Sequence, residues 1–307
     1  MRIGILFGGS RSEIVLDELV RDTRDVEQRG FSTVWVPNVF GHDAITSAAI
    51  LGRETREIEI GTAVVPTQPR HPVAMAQQAL TAGAACDGRF TLGIGLSHPA
   101  VIEFMFGLSY ARKAKHMREY LAVLGPLLRG EAVDFEGEEF RVRCALGVPG
   151  AGQVPLVIAA LGSQMLGLAG HETDGTILWM AGVRTIESHI VPRVRAAARE
   201  AGRPAPRVIA GMHICLTSKP DEVKARLAKA LSMYGQMPSY RAMLDIEGTE
   251  QPENLALIGD EAALDEAMAR LRDIGVTDFE ASIFARDAED EARTLDYLEG
   301  VAKRAAA

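Results

Sequence analysis

Cysteine is scarce in this chain of 307 residues, and its spacing leaves little room for metal or disulfide chemistry. The three cysteines, Cys86, Cys144 and Cys215, are odd in number, far apart and set in largely apolar stretches. No CxxC pair is present, so we expect neither a zinc site nor a disulfide framework. The pattern is typical of small buried thiols in a reduced protein.

Long apolar runs and dense basic tracts are also missing. No apolar segment has the length of a membrane span, and Met1 leads straight into a strand pattern without a signal-like segment. The chain has 41 acidic and 33 basic residues, a net charge of −8, and no Lys/Arg cluster suited to nucleic-acid phosphates. We therefore expect a cytoplasmic protein that binds neither membrane nor nucleic acid.

The common motifs of hydrolases and phosphotransferases are absent as well. The sequence contains no HExxH, no Walker loop and no GxSxG. It also offers no carboxylate pair or lysine at the predicted strand ends, which disfavours a cofactor-free lyase or isomerase. These absences favour a bound cofactor that brings its own chemistry to a small-molecule substrate.

Short apolar runs do alternate with amphipathic helical stretches along nearly the whole chain. This alternation predicts repeated β-α units around a parallel sheet, and eight such units indicate an α/β fold of the (β/α)8 TIM-barrel type. No low-complexity linker divides them, so a single domain over residues 1–307 is expected. The predicted strands cover residues 3–7, 33–36, 58–62, 90–94, 156–159, 175–179, 208–215 and 278–283.

Two stretches break this period, after the fourth and the seventh predicted strands. Residues 132–152 contain a hairpin pattern that turns at Glu136-Gly137. Residues 236–257 are rich in Met, Pro, Gly and Glu, and they adjoin a cluster that we expect to be exposed. Both are candidate lids over an active site, with a surface excursion or a dimer surface as alternatives. The cluster consists of Met233, Tyr234, Met237, Tyr240 and Met243.

The fourth predicted strand ends in the most distinctive residues of the chain. Gly95 follows the apolar run and allows a tight turn or a close approach to a ligand, and Ser97-His98 comes next. Ligands collect at the carboxyl ends of parallel strands, so this pair is a candidate site. Taken alone, it also fits a turn with a hydrogen-bonded histidine, the commoner case.

Other strand ends offer small, apolar or amide side chains. Asn38 can hydrogen-bond a flat heteroaromatic ring, or it can simply form a turn. Residues 62–66 form an apolar shelf, and residues 159–163 are small and enter a helix whose positive end could hold a phosphate. Gly8 and Ser10 follow the first strand.

Several segments, in this order, are similar to those of one enzyme family. They are GFSTVWV at 30–36, IGTAVVP at 60–66 with RHP at 70–72, GRFTLGIG at 88–95, VPLVIAALG at 154–162 and LAGHETDG at 168–175. The chain resembles the bacterial luciferase-like superfamily, and within it the branch that uses the deazaflavin coenzyme F-420. The resemblance covers nearly the full length.

The resemblance implies an oxidoreductase that is commonly a homodimer and binds its cofactor at the C-terminal mouth of the barrel. Hydride would pass between coenzyme F-420 and a small, moderately apolar organic substrate. It also implies a non-proline cis peptide between Ala63 and Val64, behind the cofactor ring. The implied cofactor-binding residues are Asn38, Ala63, Val64, Val65, Gly95, Ser97, Ala159, Ala160, Leu161 and Gly162.

The sequence departs from the resemblance at the catalytic positions. Several members that oxidise alcohols have Asp-His where this chain has Asn38-Val39, and Glu where it has His98. We therefore take His98 as the candidate proton donor or base, because an imidazole titrates near neutral pH. Water alone could serve if the substrate is an activated alkene or imine.

Two alternatives remain open from the sequence. One keeps the fold but uses FMN and oxygen, as a luciferase-like monooxygenase. The other is a non-catalytic flavin-binding barrel protein. Oxygen uptake would identify the first, and bound cofactor without turnover would identify the second.

Overall fold

Eight parallel strands close into a barrel in the computed structural model, which describes residues 1–7 and 14–306. The strands of the chain are β1 (Arg2–Leu6), β2 (Thr33–Val36), β3 (Glu59–Thr62), β4 (Val65–Pro66), β5 (Phe90–Gly95), β6 (Val133–Glu136), β7 (Arg141–Cys144), β8 (Leu156–Ala159), β9 (Gly175–Trp179), β10 (Arg207–Leu216), β11 (Leu257–Gly259) and β12 (Asp278–Ile283). The barrel order is β1-β2-β3-β5-β8-β9-β10-β12, and β12 pairs with β1 to close it. The predicted (β/α)8 barrel is confirmed.

Helices surround the barrel. They are α1 (Leu16–Gln28), α2 (Ala44–Glu54), α3 (Pro72–Ala85), α4 (Lys113–Leu128), α5 (Ser163–Glu172), α6 (Val183–Thr185), α7 (Val191–Glu200), α8 (Pro220–Ala230), α9 (Pro238–Glu247), α10 (Glu261–Asp273) and α11 (Ala288–Ala306). Short π-helices span Ala100–Met105 and Ile186–Ile190, and 3-10 turns span Tyr234–Gln236 and Pro252–Leu255. Across the described ranges, no helix is long and apolar enough to cross a membrane.

Side-chain caps explain where several helices begin. The Asp43 carboxylate accepts a hydrogen bond from Thr46 N at 2.9 Å at the start of α2, and Asp260 does the same for α10. His71 Nδ1 accepts from Val73 N at the start of α3, where Pro72 occupies the first helical position. Asp43 and His71 are thus capping residues.

Trp35 fills the interior of the barrel. Its side chain is fully buried and packs with Val157, Ile177 and Ile209. The neighbouring strands make room with glycine, since a Cβ on Gly61 would come within 2.3 Å of the indole ring. The strand sequences are nearly continuous apolar runs, because each strand of a parallel barrel is buried on both of its faces.

Ion pairs cover the N-terminal end of the barrel, where the strands begin. The Arg207 guanidinium lies 2.8 Å from Glu59 and 2.6 Å from Asp278, and its charge is held above the Trp35 ring. These contacts place the Arg207 side chain across the barrel interior at the end where the strands begin.

The first insertion is the predicted hairpin, formed by β6 and β7. It is fastened to α4 by Glu119, whose carboxylate accepts hydrogen bonds from the backbone N–H groups of Glu139 at 2.8 Å and Phe140 at 3.3 Å. Cys144, at its end, is partly exposed, in contrast to the buried Cys86 and Cys215. The expectation of buried thiols is thus correct for two of the three cysteines.

The second insertion contains helix α9, which the sequence did not predict. Glu247 fastens it to α6, accepting from Thr185 N at 2.8 Å and from Thr185 Oγ1 at 2.7 Å. The expectation of an exposed cluster is wrong for Tyr240 and Met243, which are buried, whereas Met233 is 71% exposed. Tyr240 belongs to an apolar cluster that includes Leu227 of α8. The periodicity of the sequence did not show this packing.

Candidate functional site

The carboxyl ends of the barrel strands open into two adjoining cavities. One, here called the β8 cavity, has a volume of about 450 Å³ and is lined by the residues that follow β8. The other, the β2 cavity, has a volume of about 860 Å³ and is lined by the residues that follow β2. Val64, Ser97 and His98 line both, so they form the wall between them.

Nearly all the predicted site residues lie on these two cavities. In the β8 cavity are Gly95, Ala159, Ala160, Leu161 and Gly162, and in the β2 cavity are Asn38 and Ala63. The dividing wall contains the predicted cofactor residues Val64 and Ser97 together with the candidate catalytic residue His98. Residues as far apart in sequence as Asn38 and Gly162 thus meet at one mouth.

Val65 is the exception among the predicted residues. Its side chain is fully buried, and its backbone pairs with Ile94 of β5, so it lines neither cavity. The cis peptide implied between Ala63 and Val64 is present. Gly8 and Ser10 lie outside the described residues.

The backbone around Ser97 and His98 is held from two sides. Ser97 adopts a left-handed conformation with φ of 58°, which turns the chain sharply after β5. Tyr110 Oη donates a 2.9 Å hydrogen bond to the Ser97 carbonyl. The His98 carbonyl accepts from Val101 N and Ile102 N, both at 3.0 Å, and begins the π-helix.

The His98 imidazole faces Tyr240 of the second insertion. Its Nε2 lies 3.4 Å from Tyr240 Oη, and the two rings meet edge to face with centroids 5.3 Å apart. Burial lowers the pKa of His98 below its usual value, because the charged imidazolium is poorly solvated there. The imidazole is therefore neutral at pH 7, and burial also raises the pKa of Tyr240, keeping the phenol protonated.

Tyr240 and Lys113 are site residues that sequence reasoning missed. Tyr240 lies 142 residues from His98, on a helix that the sequence did not predict. Lys113 begins α4 and lines the β8 cavity, with its Nζ 5.7 Å from the centroid of the Tyr110 ring. The Met/Tyr cluster did include Tyr240, but as an exposed residue of a candidate lid or dimer surface and not as a buried neighbour of His98.

The β8 cavity contains donors suited to an anionic group. Gly162 begins α5 without a side-chain cap, and a Cβ at that position would meet no atom within 4 Å. The first amide groups of α5 are therefore open on the side of Gly162 and Ser163, at the positive end of the helix dipole. With Lys113 on the same wall, these groups fit the phosphate of a nucleotide-like cofactor.

The charge of the mouth differs from that of the whole protein. Although the chain has a net charge of −8, no Asp or Glu is among the described residues that line either cavity. The charged groups on the walls are Lys113, Arg70 and Lys229. The mouth thus favours neutral or anionic ligands.

Asn38 makes a turn-forming contact, one of the two possibilities that the sequence left open, and it also lines a cavity. Its Oδ1 accepts a 3.1 Å hydrogen bond from Ala44 N at the start of α2, a turn-stabilising contact. Asn38 also lines the β2 cavity. Its side chain is thereby oriented by the protein before any ligand arrives.

The hairpin of the first insertion contributes no lining residue to either cavity within the described parts of the chain. The second insertion does, through Met237 in the β2 cavity and Ser239, Tyr240 and Met243 in the β8 cavity, and the adjoining Met233 and Tyr234 also line the β2 cavity. Only the second of the two candidate lids therefore borders the site.

Comparison with known proteins identifies a family and several relatives. A family model described as luciferase-like monooxygenase matches residues 1–278. The chain is 29% identical over 203 residues to the 5,10-methylenetetrahydromethanopterin reductase of Methanolobus tindarius, covering 66% of this chain and 62% of that protein. It is 27% identical over 263 residues to the F420-dependent glucose-6-phosphate dehydrogenase of Nakamurella multipartita, covering 80% and 75%.

The first curated relatives are matched over only part of their length, between 53% and 62% for three of them. Among solved structures, an F420-dependent secondary alcohol dehydrogenase in complex with an F420-acetone adduct superposes with a TM-score of 0.79. It is 18% identical, and the superposition covers 98% of this chain and 97% of that one. At this identity the likeness establishes the fold.

Proposed function

The chain belongs to the luciferase-like monooxygenase family, and we propose that it is an oxidoreductase that transfers a hydride between coenzyme F-420 and a small, moderately apolar organic molecule. The observation that carries the proposal is the convergence of Asn38, Ser97, His98 and the open N-terminus of α5 on one mouth, where no described lining residue is a carboxylate. Relatives named as F420-dependent enzymes support the choice of cofactor.

The β8 cavity would hold the phosphate-bearing part of the coenzyme. Gly162 and Ser163 supply amide groups at a helix N-terminus, and Lys113 supplies a positive charge. The small side chains of Ala159 and Ala160 leave space along this wall. Val64 and Ser97 would meet the ring, where the two cavities adjoin.

When bound, coenzyme F-420 supplies a ring carbon that donates or accepts a hydride and reacts little with oxygen. The protein would orient the reactants, exclude water and donate or accept one proton. His98 is our candidate for the proton, because it lies on the wall common to both cavities and is neutral at pH 7. Tyr240 Oη, 3.4 Å from His98 Nε2, can fix the tautomer and pass the proton on.

A binding titration tests the cofactor assignment. The purified protein is titrated with F-420 and, separately, with FMN at matched salt, following cofactor fluorescence. We expect micromolar affinity for F-420 and at least tenfold weaker affinity for FMN. A Lys113→Gln variant should bind F-420 several-fold more weakly, since it loses one charge near the phosphate.

Three results would overturn the proposal. A preference for FMN would move the assignment to an oxygen-dependent monooxygenase, which oxygen uptake with reduced FMN would then test. Binding of neither cofactor would remove the basis for hydride transfer. Tight F-420 binding without turnover across a panel of activated alkenes, imines and alcohols would favour a non-catalytic barrel.

A further inference from the structure

The β2 cavity is bordered by large apolar side chains that remain in contact with solvent. Val39, Phe40, Phe106 and Met233 line it and are between 42% and 71% exposed. Exposed apolar surface of this extent usually marks a binding site. At about 860 Å³, the cavity has the size of a pocket for a small molecule.

The charges on its wall differ in how they are neutralised. Arg70 is ion-paired with Asp43, so its guanidinium is already compensated. His98 is neutral, because burial lowers its pKa. Lys229, in the last turn of α8, forms no ion pair with any described residue, and no carboxylate is among the described residues that line the cavity. One uncompensated positive charge therefore borders an otherwise apolar space.

We infer that the β2 cavity binds an amphipathic anion, with its apolar body against Phe40, Phe106 and Met233 and its carboxylate beside Lys229. This inference rests on the proposed function, since it names the class of substrate that would be held next to the coenzyme. Burial of the apolar body against these side chains favours binding, and the single positive charge selects carboxylates over amines. The reacting atoms would lie toward His98, at the wall shared with the β8 cavity.

Calorimetric titration with three probes of equal chain length tests the inference. Octanoate, octan-1-ol and octylamine are titrated below their aggregation concentrations, into the protein alone and into the protein saturated with F-420. We expect octanoate to bind about fivefold more tightly than the alcohol, the range for one partly exposed ion pair, and the amine to bind most weakly.

Two lysine variants of α8 separate the effect of the charge beside the cavity from the effect of the protein's net charge. Lys229→Gln should remove the advantage of octanoate and leave the affinity for the alcohol unchanged. Lys224→Gln is the matched control, because Lys224 lies on the same helix but lines neither cavity. It should keep the full octanoate preference.

The outcomes are separable from those of the proposed function. Octanoate preference that depends on Lys229 in a protein that fails to bind F-420 would keep the site and discard the hydride-transfer proposal. Equal binding of the three probes, or an unchanged preference in Lys229→Gln, would overturn the inference. So would a Lys229→Gln variant that loses F-420 affinity but keeps octanoate binding, because the lysine would then serve the coenzyme. A dimer in sedimentation that excludes all three probes would assign the apolar surface to a second copy.

Discussion

His98 shows how a single residue acquires its properties from neighbours distant in sequence. It follows Ser97, whose left-handed backbone turns the chain, and it packs edge to face against Tyr240. Neither neighbour is a charge, so the dominant influence on the imidazole is loss of water. A proton donor in such a place works as a neutral acid or base rather than as a permanent cation.

The first prediction concerns the pKa of His98, followed by its imidazole proton shifts in NMR. In the unaltered protein it should titrate below the usual 6.5, because burial disfavours the charged form. Tyr240→Ala should raise the pKa toward 6.5 by admitting water.

The matched control for this measurement is Tyr240→Phe, which keeps the ring and removes only the hydroxyl. It should leave the pKa of His98 low if burial is the cause. A full return to the usual value in Tyr240→Phe would instead make the 3.4 Å contact with the hydroxyl the controlling interaction.

At the residue scale, the sequence predicted those cavity-lining residues that lie at the end of a strand or shortly after it. Gly95, Ser97, His98 and Asn38 could be found this way, because a parallel barrel brings its carboxyl strand ends to one mouth. Tyr240 could not, since it comes from an inserted helix with no strand-end position. The sequence also did not predict Lys113 and Lys229 as cavity-lining residues, because a lysine on a helix is ordinarily a solvated surface residue.

Among the helices, α5 and α7 are packed unusually closely at Gly170. A Cβ at that position would lie 2.4 Å from the Val194 carbonyl oxygen and 2.6 Å from Ala197 Cβ. Gly167, one turn earlier on α5, has open space where its Cβ would be. The same helix thus contains one glycine required by packing and one that packing does not require.

The second prediction compares Gly170→Ala with Gly167→Ala by urea unfolding. Gly170→Ala should destabilise the protein by about 1–3 kcal/mol, because the added methyl forces the two helices apart. Gly167→Ala should be stabilising by up to about 1 kcal/mol, since alanine is the better helix former. Equal effects of the two substitutions would contradict close packing as the reason for Gly170.

At the element scale, strands were easier to predict than insertions. Their buried apolar runs have sharp ends, so β2, β8, β9 and β12 begin and end where the sequence indicated. The π-helix Ala100–Met105 and helix α9 were not predicted. Both segments make contacts with residues outside them: the Glu103 carboxylate of the π-helix accepts a hydrogen bond from Tyr110 N, and the Met243 carbonyl of α9 accepts one from Thr185 Oγ1.

At the scale of the whole molecule, the two ends of the barrel contain different features. Ion pairs of Arg207 with Glu59 and Asp278 cover one end, and the two cavities open at the other. Eight strands with continuous apolar patterns already indicated this closed architecture. The pattern could not show that a carboxyl group, Glu280, would be enclosed between the two ends.

Glu280 lies on β12, level with Gly4 of β1 and Gly211 of β10. It is 2% exposed, and its Oε1 has no hydrogen-bond partner among the described residues. Glycines on both neighbouring strands give its side chain room inside the barrel; a Cβ on Gly211 would lie 2.7 Å from Oε2. Burial raises the pKa of this carboxyl to about 8, so it is protonated in the native state at neutral pH.

The third prediction follows from this protonation and concerns global stability. Between pH 4.5 and about 8 the unfolded chain releases the Glu280 proton while the native protein retains it. The free energy of unfolding should therefore fall by about 1.4 kcal/mol per pH unit from this group alone, and level off above pH 8.

The substitution Glu280→Gln tests this prediction, because glutamine keeps the shape of the side chain and cannot ionise. Urea unfolding at pH 5, 6, 7 and 8 should thus show a stability advantage of the variant that grows by about 3 kcal/mol over this range. The exposed Glu266→Gln serves as control and should show no such growth. A constant difference between Glu280→Gln and the parent at every pH would mean that the carboxyl ionises equally in both states, through a partner inside the barrel.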